Sequence, residues 1–435
     1  MTRTLVAPFR VTTISARQIL DSRARPTVAV RLTVGDGGPH AGSDAAAGWA
    51  MVPSCASTGK AEAVELRDGD PAAFGGGGVR TAVANVTGEL ADLLQGNDFS
   101  DLADADHAMC ELDGTPAKGR LGANAIVGVS MALARALASR AGVPLYEYLR
   151  PRGVDLRLPV PHFNVLNGGA HAPNNLEFQE FMIAPVGAPS MAEAVRAGAE
   201  VYAALRARLR GLGLSTGVGD EGGFAPDLDT PEEACEHLVA AISAAGYEPS
   251  RKGIALALDP ASSQFFSDGR YHVGGQVLTA AQLTDRYAAM IDRYPIWSIE
   301  DGMAETDADG WLAHSDRLKD TIQVMGDDNL VTNPQRIAAA VARGQGNASL
   351  IKLNQIGTVT ETLVAIDVCR RAGWGAQISH RSGETTDDFI ADLAVGTGTG
   401  QIKSGAPARG ERVAKYNRLM EIALNEPDVP YGLAP

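Results

Sequence analysis

A repeat of short apolar runs, each closed by a polar or charged residue, restricts the fold of this chain more than any other feature. Successive runs are 41, 27, 25, 28 and 23 residues apart, and helical patterns over 281–292, 334–343 and 358–371 lie between them. An apolar strand, a helix and two loops need about this many residues. The repeat therefore predicts a β/α barrel, whose strand ends converge on one mouth. The six runs end at Asp259, Glu300, Asp327, Lys352, His380 and Lys403.

Three of these strand ends carry carboxylates. Asp259, Glu300 and Asp327 would bring three hard oxygen ligands to the barrel mouth. Such a set suits Mg²⁺, which favours octahedral oxygen coordination and retains positions for water and substrate. The alternative is that each acid only caps the helix after it. Three acids followed by two lysines on later strands favour the metal site.

Lys352 and Lys403 end apolar strands, where an isolated ammonium is costly to bury. A like charge and a nearby metal each lower the pKa of a lysine, so we expect a neutral amine able to take a proton. Removing a proton beside a carboxylate creates negative charge that Mg²⁺ can hold. The alternative is that both lysines are ion-pair partners of the acids.

The first third of the chain has a different pattern. An alternating β-branched run over 27–34 ends at a glycine-rich turn and predicts a strand followed by a long connection over 39–48, whereas 79–94 and 124–141 have helical spacing. We expect a smaller α+β domain over 1–153 and the barrel over 154–435, because the prolines at 159 and 161 interrupt any helix.

Charge and composition exclude some partners. The chain has 38 Lys and Arg against 52 Asp and Glu, a net charge of −14, which argues against nucleic acid or an anionic membrane as the main partner. No apolar segment resembles a signal peptide or a membrane span, and the four cysteines form no C-x-x-C pair. We therefore expect a cytoplasmic protein, and small anionic substrates remain compatible with its charge.

Two further loops carry polar groups beside glycines. One holds Asp220 and Glu221 within 219–226, and the other runs from Asn167 to His171, with Gln179 and Glu180 shortly after it. Glycine lets the backbone approach a ligand closely, and a carboxyl group held there can act as a general acid. Each loop alone is a weak signal, because such loops are usually structural.

Several segments along nearly the whole chain match motifs of one known family. Among them are ARQILDSR (16–23), PVPHFNVLNGGAHA (159–172), VGDEGGFAP (218–226), IKLNQIGT (351–358), SHRSGET (379–385) and GQIKSGAPARGERVAKYN (400–417). By these segments the chain resembles the enolase (phosphopyruvate hydratase) family. The resemblance implies an α/β fold: a modified eight-fold β/α (TIM-like) barrel preceded by a smaller α+β domain. It also implies a homodimer or an assembly of dimers.

The same resemblance implies a role for each matching residue. Lys352 would remove the α-proton of 2-phosphoglycerate, and Glu221 would protonate the leaving β-hydroxyl with the help of Glu180 and His171. Two Mg²⁺ ions are expected, one on Asp259, Glu300 and Asp327 and one beside the phosphate at Ser57. The residues expected around the substrate are Ala56, Ser57, Gln179, His380, Arg381, Ser382 and Lys403.

Several positions depart from the family pattern: Cys55 in the loop expected to close over the phosphate, and Pro260, Gln264 and Asn329 near the metal ligands. We take these four as candidates for altered specificity. They lead us to expect a specialised paralogue resembling carboxyphosphonoenolpyruvate synthase, which joins 2-phosphoglycerate and phosphonoformate in phosphonate biosynthesis. The alternatives are a housekeeping enolase and, more remotely, an inactive enolase-like scaffold.

Overall fold

The fold described is that of a computed structural model, which describes residues 8–36, 46–55 and 59–434. An N-terminal α+β unit precedes a closed eight-stranded barrel. This arrangement confirms the fold class expected from the sequence. The boundary predicted between residues 153 and 154 falls in the connection from the last helix of the first unit to the first barrel strand, and it stays a prediction.

The N-terminal unit is an antiparallel three-stranded sheet covered by helices. Strand order is β1-β2-β3, and α4 packs across the sheet so closely that a Cβ on Gly48 would collide with the backbone of Ala132. The strand predicted over 27–34 and the helix predicted over 124–141 are present with slightly different ends. The elements are β1 Phe9–Leu20, β2 Pro26–Asp36, β3 Ala46–Met51, α1 Arg80–Thr87, α2 Glu89–Gly96, α3 Leu102–Asp113, α4 Ala123–Arg140 and α5 Leu145–Tyr148.

One detail of this unit differs from the sequence prediction. The helical pattern over 79–94 forms two helices, because Gly88 leaves the helical conformation between α1 and α2. Glycine has no Cβ to restrict it there, so it ends one helix and precedes the next. A short 3₁₀ helix, Phe74–Gly76, lies between the sheet and α1. Most of the connection predicted over 39–48 lies outside the described residues.

The second unit contains the barrel strands and the helices around them. All six apolar runs are barrel strands, which confirms the repeat. The strands are β4 Val160–Asn167, β5 Glu180–Ala184, β6 Ala255–Asp259, β7 Phe266–Ser267, β8 Arg270–Val273, β9 Gln276–Leu278, β10 Ile296–Glu300, β11 Gln323–Gly326, β12 Ala348–Ile351, β13 Gly375–Ser379 and β14 Gln401–Lys403. The helices are α6 Met191–Gly211, α7 Pro231–Ala244, α8 Ala280–Arg293, α9 Ala308–Leu318, α10 Pro334–Arg343, α11 Leu353–Ile356, α12 Val359–Arg371, α13 Phe389–Thr397 and α14 Gly410–Asn425.

One barrel strand runs against the others. The order around the barrel is β10-β11-β12-β13-β14-β4-β5-β6, and β5 is antiparallel to both of its neighbours. As a result, β5 begins at the mouth where β6 ends, and Glu180 pairs directly with Asp259. The reversed strand thus contributes its first residue to the same mouth as the parallel strands' last residues. The strands β7, β8 and β9 form a separate small antiparallel sheet.

The helices around the barrel are amphipathic or buried. None of the helices in the described ranges is both long enough and apolar enough to cross a membrane. The helix α6 shows how tightly this layer packs: Gly198 faces the ring of Phe163, a fully buried residue of β4.

We predict that Gly198→Ala destabilises the protein by about 1–3 kcal/mol, because the new Cβ would lie only 2.7 Å from Cδ2 of Phe163 and would overpack the core. Gly211→Ala on the same helix is the matched control, since no atom lies within 4 Å of its Cβ position. Chemical denaturation of both variants measures the difference. Equal free energies of unfolding would show that helix and barrel do not pack as described.

Candidate active site

The strand ends of the barrel meet around one polar cavity: five of the six predicted residues line it, and the sixth, Glu300, contacts Lys403 beside it. Lys352 and His380 follow directly after β12 and β13, and Asp327 follows β11, so their side chains enter the mouth from adjacent positions. The cavity is lined by His171, Gln179, Glu180, Glu221, Asp259, Ala261, Gln264, Asp301, Asp327, Asp328, Lys352, Ser379, His380, Arg381, Ser382 and Lys403.

Lys403 is the central cation of this cavity. Its side chain is only 2% exposed, and its Nζ lies 2.8 Å from Glu300, 3.3 Å from Glu180 and 3.5 Å from Asp259. Burial alone would lower the pKa of Lys403, but the surrounding carboxylates raise it well above its ordinary value. Lys403 is therefore a permanent ammonium that joins β14 to three other strands.

The carboxylates around Lys403 outnumber it. Burial, together with the charges of neighbouring acids, raises the pKa of Asp259 to about 7 and raises the pKa of Glu300 well above its usual range. Raised carboxyl pKa values mean that burial and the neighbouring acids destabilise the charged forms of these groups. A divalent cation bound here would stabilise the charged carboxylates, and hard oxygen donors are the ligands that Mg²⁺ prefers.

Lys352 has a carboxylate partner of its own. Its Nζ lies 2.5 Å from Asp327 Oδ2, and Gln355 donates to the other oxygen of that carboxylate at 2.8 Å. Although burial opposes it, the ion pair with Asp327 raises the pKa of Lys352 above its ordinary value. The sequence led us to expect a lowered pKa for Lys352. As far as the protein's own groups are concerned, that expectation is wrong, because the sequence does not reveal the contact with Asp327.

The predicted metal ligands are distributed over two neighbouring positions. Asp259 and Glu300 contact Lys403, whereas Asp327 lies in a compact acidic group with Asp301 and Asp328, whose ligand atoms are all within 4.8 Å of one another. Asp301 accepts hydrogen bonds from the backbone N–H groups of the other two aspartates. The carboxylate oxygens of these three aspartates suit a hard divalent cation. The two hydrogen bonds to Asp301 hold the aspartates in place.

The two glycine-rich loops bring a second set of groups to the cavity. Glu221 lies 3.6 Å from Nδ1 of His171 and 3.4 Å from Nε2 of His380, and Asn164 donates to it at 2.9 Å. Although burial opposes it, the two imidazoles lower the pKa of Glu221 well below its usual range, whereas burial and the Glu221 charge raise that of Glu180. Neighbouring acids with opposite shifts are the pattern of an acid–base pair.

The basic end of the cavity lies on the loop after β13. Arg381 donates to both carboxylate oxygens of Glu62 at 2.9 and 3.1 Å, and both side chains are at least 95% buried. The neighbouring Ser382 hydroxyl accepts from Arg23 of the N-terminal unit at 3.4 Å. A guanidinium with a hydroxyl beside it is typical of oxyanion sites.

The four specificity candidates differ in where they lie. Gln264 lines the cavity: it accepts from Ala170 N and donates to Gln179, whose amide faces Asp259. Cys55 is a buried thiol behind the cavity, 3.5 Å from the Asn354 amide. The last two, Pro260 and Asn329, are also absent from the cavity wall. Ala56 and Ser57 lie outside the described residues.

Sequence reasoning missed several residues that hold the site together. Glu62, Asn164 and Gln355 each contact one of the predicted site residues, and Arg412 contacts the loop from His380 to Ser382. Three of these four, Asn164, Gln355 and Arg412, lie in segments that match the family named in the sequence analysis. That match was the signal that could have identified them. Their partners lie far away in the chain, so spacing alone could not identify them.

Two family models match this chain. The description "Enolase, N-terminal domain" matches residues 11–149, and "Enolase, C-terminal TIM barrel domain" matches residues 155–428. Curated relatives match over most of their length. Enolase 1 of Methylococcus capsulatus is 55% identical over 416 residues, which are 95% of this chain and 96% of that protein. The enolase of Acidothermus cellulolyticus is 54% identical over 409 residues, or 94% and 93%.

These findings correct one expectation. Both relatives are named enolases, and nothing in the comparisons points to a synthase that uses phosphonoformate. The expected specialised paralogue is therefore wrong, and the housekeeping alternative fits better. The structure supplies a physical reason, since only Gln264 among the four departures touches the cavity. The other three departures, Cys55, Pro260 and Asn329, are absent from the described cavity wall.

We predict that Glu62→Gln strengthens the binding of inorganic phosphate by about tenfold, because Arg381 then loses the carboxylate that competes with an oxyanion. Phosphate titration followed by calorimetry gives both dissociation constants. Glu361→Gln, which removes the acid paired with Lys118 in another part of the protein, is the control and should leave phosphate binding unchanged. Unchanged affinity in Glu62→Gln would contradict the competition.

Proposed function

Because this chain belongs to the enolase family, we propose that it is a housekeeping enolase that converts 2-phosphoglycerate into phosphoenolpyruvate and water. The observation that carries the proposal is the convergence of Lys352, the Glu180–Glu221 pair and a surplus of carboxylates in one cavity beside Arg381. This set provides a base, an acid, a site for divalent cations and a cation for the phosphate.

The first step is removal of the α-proton by Lys352. The Nζ atom reaches the cavity with its side chain 13% exposed, so a substrate can approach it. Its resting partner is Asp327, which is also one of the proposed metal ligands. A cation held by Asp327 would weaken the ion pair that stabilises the ammonium, which would favour the neutral amine that the step requires.

The second step is loss of the β-hydroxyl, which needs a proton to leave as water. Glu221 is proposed as the acid, with Glu180 and His171 beside it. The pKa of Glu180 is raised and that of Glu221 is lowered, so a proton shared by the pair favours Glu180. We propose that the pair delivers this proton as the carbon–oxygen bond breaks and the double bond forms.

The carboxylates at the strand ends are proposed to hold Mg²⁺. Asp259, Glu300 and Asp327 would hold one ion, and a second would lie at Ser57. Bound there, Mg²⁺ supplies positive charge for the negative charge that develops at the substrate carboxylate. Lys403 holds Asp259 and Glu300 ready for that role, and its own ammonium would face the substrate carboxylate.

The remaining cavity residues are proposed to bind and orient the substrate. Arg381 and Ser382 would bind the phosphate, while Gln179 and His380 would line the pocket. Ala56 is also proposed as a substrate contact. The proposed partners are thus small anions, with no role for nucleic acid or membrane. By family analogy we also propose a cytoplasmic homodimer or an assembly of dimers, which sedimentation can test.

Turnover of 2-phosphoglycerate by the purified protein tests the function directly. With Mg²⁺ present, we expect formation of phosphoenolpyruvate, followed by its ultraviolet absorbance. EDTA should abolish the reaction and added Mg²⁺ should restore it, because the proposed Mg²⁺ would stabilise the negative charge that develops at the substrate carboxylate. Asp327→Asn should need far more Mg²⁺, whereas Asp316→Asn on the outer helix α9 should not. Full activity after complete metal removal would refute the magnesium assignment.

We predict that Lys352→Ala lowers the exchange of the substrate α-proton with solvent deuterium by about a thousandfold, because the general base is removed. Mass spectrometry of recovered 2-phosphoglycerate measures the exchange. Lys319→Ala is the control, since that lysine pairs with Asp316 on the outside of the barrel and should exchange normally. Exchange at the native rate in a folded Lys352→Ala protein would mean that another group is the base.

We predict that Glu221→Gln separates the two steps of the reaction. The variant should still exchange the α-proton, because Lys352 is intact, and should form phosphoenolpyruvate at least a hundredfold more slowly, because the acid is lost. Comparing exchange with product formation in the same sample gives the ratio. Loss of both activities to the same extent, with unchanged circular dichroism, would contradict this division of roles.

A further inference from the structure

We propose that Arg412 is a positioning residue that fixes the tautomer of His380 and thereby sets which oxygen of Glu221 is free to act. This inference rests on the proposed function for its catalytic meaning, although its structural content can be tested without turnover. Arg412 lies on α14, outside the barrel mouth, and it lines no part of the cavity.

The guanidinium of Arg412 is fully buried and joins separate loops of the site. It donates to the backbone carbonyls of Arg381 at 2.7 Å, Ser382 at 2.6 Å and Asp220 at 3.1 Å. It also reaches the hydroxyl of Ser22 in the N-terminal unit at 3.4 Å. These contacts tie the loop after β13 to the loop that carries Glu221.

One further contact has a chemical consequence. Nη1 of Arg412 lies 2.6 Å from Nδ1 of His380. A guanidinium has only donors and keeps its charge in proteins, so Nδ1 must be the acceptor. An imidazole whose Nδ1 accepts carries its proton on Nε2 when neutral. Burial lowers the pKa of His380 to about 3, which agrees with a neutral ring.

The remaining ring nitrogen faces the proposed acid. Nε2 of His380 has no hydrogen-bond partner within the described residues and lies 3.4 Å from Oε2 of Glu221. The same Oε2 already accepts from Asn164 at 2.9 Å. With its proton on Nε2, His380 places a second N–H beside Oε2, although outside hydrogen-bond geometry in this structure. Oε1, which faces His171 at 3.6 Å, is then the oxygen left for proton transfer.

The opposite tautomer would reverse this arrangement. If Nδ1 carried the proton, it would clash with the Arg412 donor, and the lone pair of Nε2 would face the Glu221 carboxylate. Either contact is repulsive. The position of Arg412 therefore selects one tautomer, in the way that a hydrogen bond to one nitrogen of a histidine sets the state of the other.

The experiment uses the full-length protein with ¹⁵N-labelled histidine and long-range ¹H–¹⁵N NMR spectra, which distinguish protonated from unprotonated ring nitrogens. The chain has eight histidines, and His380→Gln identifies the resonances of interest. In the native protein we expect His380 to be protonated on Nε2 only. A proton on Nδ1 in the native protein would overturn the proposal, whatever the variants do.

Variants of Arg412 separate positioning from loop stability. Arg412→Met should allow a proton on Nδ1 of His380 and lower kcat by at least about tenfold with KM changed by less than about threefold. Arg412→Lys retains a donor and should restore the native tautomer although it loses carbonyl contacts. Ser22→Ala is the matched control: it removes a contact of Arg412 without touching His380 and should keep the tautomer. A folded Arg412→Met protein with the native tautomer would overturn the proposal.

The tautomer measurement and the turnover assay test different hypotheses, and each can fail without the other. Native tautomer selection in a protein that does not turn over 2-phosphoglycerate would refute the function and leave the role of Arg412 intact. Turnover of 2-phosphoglycerate by a native protein that carries the His380 proton on Nδ1 would support the function and refute the role of Arg412.

Discussion

The buried ammonium of Lys403 is the interaction on which the site depends. Three carboxylates from three different strands lie around it, and isolated buried carboxylates are among the most costly groups in a protein interior. Burial and the neighbouring acids raise the pKa values of Asp259 and Glu300 despite this cation. The barrel thus holds acids close together at an energetic cost, and a bound cation would offset part of that cost.

The sequence predicted the barrel well because its signal is local. An apolar run, a polar residue at its end and a helix after it are all visible within about thirty residues, and this spacing led correctly to the six strand ends. The break at Gly88 was missed, since the apolar spacing continues across it. The antiparallel direction of β5 leaves no trace in the periodicity, because alternation looks the same in both directions.

The site was only partly predictable, because its contacts join residues that are distant in the sequence. Lys352 and Asp327 were recognised as residues, but their 2.5 Å contact was not, and so the direction in which the protein's own groups shift the pKa of Lys352 was wrong. Glu62 and Arg412 act on residues hundreds of positions away in the chain or on another element. The altered loops were given too much weight, since a sequence difference shows that a residue changed and not whether it faces the substrate.

The N-terminal unit supports the loops at the mouth of the barrel. Ser54 pairs with Gly383 through two backbone hydrogen bonds, and Arg23 reaches both Ser382 and Asp220. The two units therefore cannot be exchanged independently between distant relatives. A chimera that joins this barrel to a foreign first unit would have to bring residues 21–23 and 54 along, or the loops at the mouth would lose their outer supports. Shuffling of whole domains, a common route to new enzymes, is thereby restricted here, and change in this chain must proceed largely by point substitution.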